Sequence, residues 1–384
     1  MSGNNADVIV IGAGVIGAAT AYFATQAGLS VIVLERGTIA SGTSSACEGN
    51  ILVSDKEAGP ELDLALYAQQ VWRKDLGEHG HLWEFENKGG LVVAAKASSA
   101  ASLLELTISQ RQSGIEVTDV PADRLRDYEP HIAEDLVSGA YYPQDAQVQP
   151  MLVVGHLLRL ARAQGAVVHT GTEVTGFLRD GRSVNGVTSN RGIFSASAVV
   201  NAAGTWAGNV ASLAGVNVPV KPRRGFVLVT EPLPLTIHHK VYAAEYVANV
   251  ASSDADLQTS PVVEGTQAGT VLIGASRERV GFDSSPSLPA LGRLAEQAIR
   301  LFPVLAQAKA IRHYHGFRPY CPDHLPVIGA DDSAPGLWHA AGHEGAGIGL
   351  GPATAKLLVQ NITGESTDLD LSPFAAGRFQ ETTL

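Results

Sequence analysis

The chain has 384 residues, of which 45% are hydrophobic and 17% are charged, so its composition is that of a globular protein and excludes a disordered one. Its 27 Lys and Arg against 38 Asp and Glu give a net charge of −11, which argues against nucleic acid as a partner because nucleic acid needs a basic surface. The two cysteines, Cys47 and Cys321, are too few for a disulfide scaffold or a zinc site.

The first residues, MSGNNAD, contain neither the basic region nor the cleavage site of a secretory signal. The apolar run from Val8 to Ala24 is broken by glycines and is too short to span a bilayer. We therefore expect a cytoplasmic protein with no membrane span.

The first predicted elements form a β-α-β unit around a glycine-rich turn. A continuously apolar strand over residues 7–12 runs into GAGVIG, residues 12–17, and then into a helix predicted over 17–27. The three glycines permit a tight turn, close approach of a pyrophosphate and close packing of the helix on the strand. A second strand, over residues 30–34, ends in Glu35, where an acid accepts the hydroxyls of a ribose. This pattern predicts a dinucleotide site.

The segment after Glu35 distinguishes FAD from NAD. An NAD enzyme continues with further β-α-β units, whereas Glu35 leads into a loop of small polar residues, which supply donors to a long anionic ligand. Two later segments add to this interpretation. One forms a hairpin and a buried strand near residues 171–206, and the other runs from a strand at 337–341 into a glycine-rich turn at 342–351 that opens a helix. A helix N-terminus there stabilises negative charge on a reduced flavin.

The three segments together predict the cofactor-binding residues. They are Gly12, Gly14, Val15, Ile16, Gly17, Glu35, Arg36, Ser41, Gly42, Thr43, Ser44, Ser45, Gly49, Asn50, Val174, Ala203, Gly204, Trp206, Gly342, His343, Glu344, Gly345, Ala346, Gly347 and Ile348.

The sequence resembles the family of D-amino acid oxidase, glycine oxidase and sarcosine oxidase over nearly its whole length. The most specific parts are GFRPYCPDHLPVIG, residues 316–329, and LWHAAGHEGAGIGLGPATAKLL, residues 337–358. Within the family it looks most like the catalytic subunits of D-hydroxyproline dehydrogenase, opine oxidase and hydrogen cyanide synthase, through GASRERVGFD and GHEGAGIGL. The resemblance implies FAD and the transfer of a hydride from the amine-bearing carbon to flavin N5, after which the imine hydrolyses.

The resemblance also implies a fold. We predict an α/β (α+β overall) protein in which a Rossmann-like FAD-binding domain of the glutathione-reductase type joins a substrate domain with a large, mainly antiparallel sheet. The predicted domains are 1–84, 146–219 and 316–384 for FAD, and 85–145 and 220–315 for the substrate.

The substrate arginine of the family corresponds to Arg318, whose planar guanidinium suits a carboxylate. Arg277 is expected either to contact an acidic group of the substrate or to be a salt-bridged strand end. Tyr246 and Tyr320 are candidates for hydroxyl contacts, although packing is the favoured explanation for both, and His343 is a candidate for tuning the substrate amine. Together they give Arg318, Arg277 and His343 as catalytic candidates, and no metal site.

The chain departs from the family pattern at three positions. Gly345 replaces the second arginine of glycine oxidase, and Pro261 stands near the position of a carboxylate-binding tyrosine, so glycine is not the expected substrate. Cys321 lies several residues from the cysteine that binds flavin covalently in monomeric sarcosine oxidase, so we expect non-covalent FAD.

Three activities remain open from the sequence. The first is an oxidase of a small amino acid or N-substituted amino acid that uses O2 directly. The second is the FAD subunit of a heteromeric dehydrogenase that passes electrons to a partner subunit, and the third is an FAD hydroxylase.

Overall fold

The computed structural model describes residues 4–247 and 252–379, and two large sheets organise them. The first sheet has a parallel core with an antiparallel strand at one edge and a hairpin beside it. In spatial order its strands are β17 (Val327–Ala330), β18 (Leu337–Ala341), β11 (Gly192–Asn201), β1 (Asn5–Ile11), β2 (Val31–Leu34) and β8 (Val167–His169). The hairpin consists of β9 (Val174–Asp180) and β10 (Ser183–Ser189), and β10 pairs antiparallel with β11.

The second sheet also has eight strands and is antiparallel except where β13 meets β4. In spatial order its strands are β16 (Ala310–Tyr320), β12 (Lys221–Thr230), β15 (Val271–Arg277), β14 (Gln258–Gly265), β13 (Lys240–Ala243), β4 (Gly90–Ala94), β6 (Ser138–Tyr142) and β5 (Thr118–Pro121). A short antiparallel pair, β3 (Asn50–Ile51) and β7 (Ala146–Gln147), lies outside both sheets. The predicted fold class, with a large and mainly antiparallel second sheet, is confirmed.

The helices cover the faces of both sheets. Helix α1 packs against α5 and α8 on the first sheet, and α7 packs on β14, β12 and β15 of the second sheet. The helices in the described part of the chain are α1 (Val15–Gln26), α2 (Pro60–Gln70), α3 (Ala97–Gln112), α4 (Leu125–Tyr128), α5 (Pro150–Ala163), α6 (Ala207–Leu213), α7 (Leu288–Leu301) and α8 (Gly347–Thr363).

The first helix begins two residues earlier than the sequence pattern indicates. It starts at Val15 rather than at Gly17, because Ser44 accepts a hydrogen bond from the Val15 N–H and so satisfies one of the donors that a helix N-terminus leaves unpaired. The second strand starts at Val31 rather than at Ser30. The sequence also indicates helices near residues 97–113 and 288–302, and these correspond to α3 and α7.

The domain limits remain a proposal, which the strand pairing refines at one point. Strand β16 pairs with β12 along its length, from Ala310 opposite Thr230 to Tyr320 opposite Lys221. Residue 316, where the third FAD segment was predicted to begin, therefore lies inside a strand of the second sheet. We propose that this boundary falls after Tyr320.

Candidate functional site

A cavity of about 940 Å³ lies between the two sheets, at the carboxyl ends of the parallel strands β1, β2 and β11. This is the edge at which open α/β sheets bind ligands. The predicted cofactor residues that line it are Gly12, Gly14, Val15, Ile16, Glu35, Arg36, Ser41, Gly42, Thr43, Ser44, Gly49, Asn50, Val174, Ala203, Gly204, Trp206, His343, Glu344, Gly345, Gly347 and Ile348.

The glycine-rich turn between β1 and α1 leaves no room for side chains at two positions. Gly12 has φ +106°, and a Cβ there would lie 2.6 Å from the carbonyl oxygen of Ala202. A Cβ on Gly17 would lie 1.9 Å from the Gly12 oxygen, so the helix passes directly over the turn. Gly17 therefore does not line the cavity; it holds α1 close to the strand.

Glu35 closes this end of the cavity through backbone contacts. Its Oε2 accepts the Ala13 N–H at 2.8 Å, and its Oε1 accepts the Gly37 N–H at 2.7 Å. Each carboxylate oxygen has two lone pairs, so both oxygens retain acceptor capacity toward the cavity. The arrangement is suited to accepting the hydroxyls of a ribose.

The end of the cavity beside Glu35 also includes residues that the sequence patterns did not single out, and the Thr172 N–H donates to the Glu35 carbonyl there at 2.8 Å. Beside Val174 the wall includes Thr172, Glu173, Thr175, Ser212 and Leu213. In the wall next to these residues, the Arg36 guanidinium lies over the Trp206 ring, with its central carbon 4.0 Å from the ring centroid. Trp206 in turn stacks on Phe282, with centroids 5.4 Å apart and planes at 6°. Because Trp206 follows β11 and Phe282 follows β15, this stack joins the two halves of the molecule.

The opposite end of the cavity carries Arg318, which lies in strand β16. Two hydroxyls fix the strand there, because the Phe317 carbonyl accepts from Thr43 Oγ1 at 2.7 Å and from Thr205 Oγ1 at 2.5 Å. Arg318 Nη1 donates to the Ser276 carbonyl at 2.8 Å. A Cβ on Gly225 would lie 2.1 Å from Nη1, so glycine at that position makes room for the guanidinium.

Burial and the nearby Arg277 lower the pKa of Arg318 to about 10, so it stays protonated at neutral pH. Among the described residues, no carboxylate lies within ion-pairing distance of Arg318. Glu48 acts on Arg318 only from beyond ion-pairing distance. A buried cation at the wall of a cavity, with no ion-paired carboxylate in the described part of the chain, is suited to binding an anion.

A smaller cavity of about 210 Å³ adjoins the first one and shares Tyr246, Arg318, His343, Glu344 and Gly345 with it. Arg277 lines this smaller cavity, and its guanidinium carbon lies 4.5 Å from the ring centroid of Tyr246. Three predicted substrate residues, Arg318, Arg277 and Tyr246, are thus brought together.

His343 is buried, and burial lowers its pKa to about 3, so the imidazole is neutral at physiological pH. Its Nε2 lies 2.9 Å from Thr354 Oγ1 on α8. The adjacent Glu344 has φ +46° and lies between His324 Nδ1, at 2.9 Å, and Arg223 Nη1, at 3.4 Å.

Tyr320 does not reach either cavity, contrary to its predicted role. Its ring lies beneath two guanidiniums, 5.5 Å from that of Arg223 and 5.1 Å from that of Arg279, and only 3% of the residue is exposed. Ser45, whose hydroxyl donates to the Gly42 carbonyl, and Gly342 also lie off the cavity walls, whereas Ala346 lines the smaller cavity.

The two cysteines differ in position. Cys47 lines the large cavity, and burial raises the pKa of its thiol to about 12, so it is not a thiolate. Cys321 is buried near Arg378 and Asp323, and burial likewise raises the pKa of its thiol.

Several charged residues of the site were missed from the sequence, including the acids Asp55, Glu57 and Glu61 of the smaller cavity. Glu48 lines the large cavity, and its Oε1 has no hydrogen-bond partner among the described residues. Lys56 and His324 line the smaller cavity, and Arg223 lies behind it. The available signal was the charged pair Asp55-Lys56, which follows the apolar run of residues 51–53.

The cavity fits a long anionic cofactor such as FAD. The N-termini of both α1 and α8 open onto it, at Gly14 and Gly347, and both therefore present the positive ends of helix dipoles. The described residues contain no group of three or more side chains suited to a metal ion. No helix in the described part of the chain is long and apolar enough to cross a membrane.

A family model described as DAO, FAD dependent oxidoreductase, matches residues 7–361. The chain belongs to this family. It is 30% identical to the glycine oxidase of Geobacillus kaustophilus over 380 residues, which covers 97% of each chain. It is also 30% identical, over 325 residues, to the hydrogen cyanide synthase subunit HcnC of Pseudomonas aeruginosa, which covers 83% of this chain and 74% of HcnC.

Two solved structures confirm the fold of this DAO-family chain. The crystal structure of glycine oxidase from Geobacillus kaustophilus superposes with a TM-score of 0.89 and 27% identity, over 98% of this chain and 99% of that one. L-Proline dehydrogenase from P. horikoshii also gives a TM-score of 0.89, at 23% identity, over 99% of each chain. The chain is therefore an FAD-dependent oxidoreductase with the glycine oxidase fold.

Proposed function

We propose that this protein oxidises a small amino acid or N-substituted amino acid at its amine-bearing carbon. The observation that carries the proposal is Arg318, a buried cation with no ion-paired carboxylate among the described residues, where the large cavity meets the small one. A small substrate with a carboxylate supplies the missing anion, and an amine on the neighbouring carbon then lies at the junction.

Arg318 binds the carboxylate of the substrate and fixes its orientation. FAD, when bound, supplies the acceptor for a hydride. With FAD bound, the amine-bearing carbon of the substrate would lose a hydride and the substrate would become an imine, which water would hydrolyse to a carbonyl compound and an amine or ammonia. His343 is neutral above a pH of about 3, so it adds no charge to the walls of the two cavities that it lines.

The cofactor residues that line the large cavity are proposed to hold FAD non-covalently. Gly14, Val15 and Ile16 would present the N-terminus of α1 to the pyrophosphate, and Glu35 would accept the ribose hydroxyls. The turn from His343 to Ile348, at the start of α8, would face the flavin end. The two cysteines have raised pKa values, which fits the absence of a covalent bond.

The electron acceptor is proposed to be either O2 or a partner subunit. Similarity to glycine oxidase favours O2, and similarity to HcnC, which is named as a subunit, favours a partner. An assay of the purified chain for H2O2 formation against dye reduction distinguishes them. Stoichiometric H2O2 identifies an oxidase, whereas dye reduction without H2O2 identifies a dehydrogenase subunit. A cytoplasmic location and an oligomeric state also stay predictions.

Anaerobic titration of the purified yellow protein tests the oxidation itself. Amines of several classes are added, namely glycine, sarcosine, D-amino acids, D-hydroxyproline and N-carboxymethyl compounds, and the flavin absorbance near 450 nm is followed. We expect at least one carboxylate-bearing amine to bleach the flavin. Bleaching by NADPH, with none by any amine, would support a hydroxylase in its place.

A further inference from the structure

The small cavity carries charges of both signs, and its walls include four acids, Asp55, Glu57, Glu61 and Glu344. Its walls and the residues behind them carry four strong cations, namely Lys56, Arg223, Arg277 and Arg318. The acidic side chains that pair with them decide how many cations remain free for a substrate.

Lys56 is neutralised within the protein. Its Nζ lies 3.0 Å from Asp55 Oδ1 and 3.2 Å from Glu61 Oε1. Burial works to lower the pKa of Lys56, but the two carboxylates outweigh it, and the pKa is raised overall. Lys56 is therefore a paired cation and not a substrate anchor.

Arg223 is likewise satisfied. Its Nη1 lies 3.4 Å from Glu344 Oε2, and its Nη2 donates to the Ser252 carbonyl at 2.8 Å and to Gln258 Oε1 at 3.3 Å. Glu344 is thereby committed to Arg223 and His324, and it does not neutralise the cations that line the cavity.

Arg277 has no such partner. It is 5% exposed, and among residues 4–247 and 252–379 its guanidinium has no carboxylate within 4 Å and donates no hydrogen bond to them. The four residues outside the described part nearest in sequence, 248–251, are Ala-Asn-Val-Ala and contain no acid. Its described contact is the face of the Tyr246 ring.

Two buried guanidiniums, those of Arg277 and Arg318, thus border one cavity of about 210 Å³, and no carboxylate of the described residues lies within 4 Å of either, although Glu48 acts on Arg318 from a longer distance. They repel each other, since Arg277 is among the groups that lower the pKa of Arg318. Buried charges are stable only when they are paired, and a ligand with one carboxylate leaves one of these unpaired.

We infer that the substrate is a small amine with two carboxylates, one bound by Arg318 and the other by Arg277. The inference rests on the proposed function, because Arg318 is taken as the anchor beside the oxidised carbon. The small volume of the cavity limits the spacer between the acid groups to a few carbon atoms. Both N-carboxyalkyl amino acids and amino acids with an acidic side chain have this chemistry.

Pairs of substrates that differ by one carboxylate test the inference. Sarcosine and iminodiacetate form the first pair, in which the second carboxylate is on the substituent of the nitrogen. D-Alanine and D-aspartate form the second pair, in which the second carboxylate is on the side chain. We expect the diacid of at least one pair to reduce the flavin anaerobically at least 10-fold faster, at equal subsaturating concentration, than its monoacid. The pair that responds identifies which kind of diacid is bound.

The variant Arg277→Met should lower the rate with the preferred diacid by roughly 100-fold and leave the matched monoacid within about threefold. Arg277→Lys, which keeps the charge, should retain an intermediate preference. Arg279→Met is the matched control, because this exposed arginine packs on Tyr320 and donates to the Ser253 carbonyl outside the cavity. Equal loss with both substrates in Arg277→Met would overturn the inference, since both arginines would then bind a single carboxylate.

A second measurement does not depend on oxidation. Thiodiacetate has two carboxylates but no amine, and (methylthio)acetate has one. In the wild type, we expect thiodiacetate to raise the Tm and perturb the flavin spectrum at concentrations at least 10-fold lower than (methylthio)acetate requires. In Arg277→Met, we expect no such difference between the two compounds. If thiodiacetate binds in this way while no amine bleaches the flavin, the proposed function fails and the two-carboxylate site stands. If the two thioethers bind equally, or neither binds, the inference is wrong.

Discussion

The two ends of the central cavity are built by different means. At the cofactor end, the glycine-rich turn and the loop after Glu35 supply much of the wall, and these residues lie close together in sequence, at 12–16 and 35–50. At the substrate end, side chains from six separate segments converge, and they include Lys56, Tyr246, Arg277, Arg318 and the turn at 343–346. The cofactor end therefore depends on space and hydrogen-bond geometry, whereas the substrate end depends on the balance of charge.

The largest effect we expect is the loss of cofactor binding when a side chain is added to the glycine-rich turn at the cofactor end. In Gly17→Ala, the new Cβ would lie 1.9 Å from the Gly12 oxygen, so α1 must move away from the turn. The variant should purify with less than about a tenth of the wild-type flavin content, measured by the ratio of absorbance at 450 and 280 nm.

Gly155→Ala is the control for this change. Gly155 lies in α5 with no atom within 4 Å of its Cβ position, and alanine there should stabilise the helix by about 1 kcal/mol. Full flavin content in Gly17→Ala would show that the turn adapts and that the cofactor end is less rigid than its geometry indicates.

The substrate end should lose function without losing the cofactor. Arg318→Met removes one partner of a buried ion pair with the substrate, so kcat/KM should fall roughly 100- to 1,000-fold with unchanged flavin content. Arg312→Met is the matched variant, because Arg312 lies on the same strand and is exposed. A wild-type kcat/KM in Arg318→Met would remove this anchor from the site.

A smaller effect is expected at Glu35, where a hydrogen bond rather than space is altered. In Glu35→Gln, one of the N–H groups of Ala13 and Gly37 faces an amide NH2 and loses its acceptor, so FAD should bind about 10-fold more weakly. The dissociation constant for FAD after removal and readdition of the cofactor measures this. Glu105→Gln on the exposed face of α3 makes the same change of charge and should bind FAD as wild type does.

The smallest effect concerns Asp145, which connects the loop after β3 to the second sheet. Burial raises its pKa to about 7, although hydrogen bonds from Ser54 and the Val53 N–H oppose the shift. Between pH 4 and 7 the folded protein then binds a proton that the unfolded chain releases, so this carboxyl makes stability fall as the pH rises.

Asp145→Asn removes that titration. The decrease in Tm between pH 5 and pH 8 should therefore be smaller in Asp145→Asn than in wild type, by about a few °C. Parallel pH profiles for the two proteins would show that Asp145 has an ordinary pKa.

The same contrast explains what the sequence predicted. Gly12, Gly14 and Glu35 were identified because a β-α-β unit fixes its ligand through local backbone geometry, which a short pattern encodes. Arg318 was placed by family resemblance, and the structure adds its neighbours. Lys56, Glu48 and Arg223 were missed because their roles depend on which charges meet after folding. Tyr320 was expected at the cavity because it is close in sequence to Arg318. Its ring is instead covered by two arginines, which the sequence did not reveal.

The stack of Arg36, Trp206 and Phe282 has an optical consequence. Trp206 borders the cavity, whereas Trp72 and Trp83 are enclosed in the protein core. Its indole lies in the wall of the cavity proposed to hold FAD, so the surroundings of that ring change when the cofactor fills the cavity. The ultraviolet emission of Trp206 should therefore report the fraction of the protein that contains the cofactor.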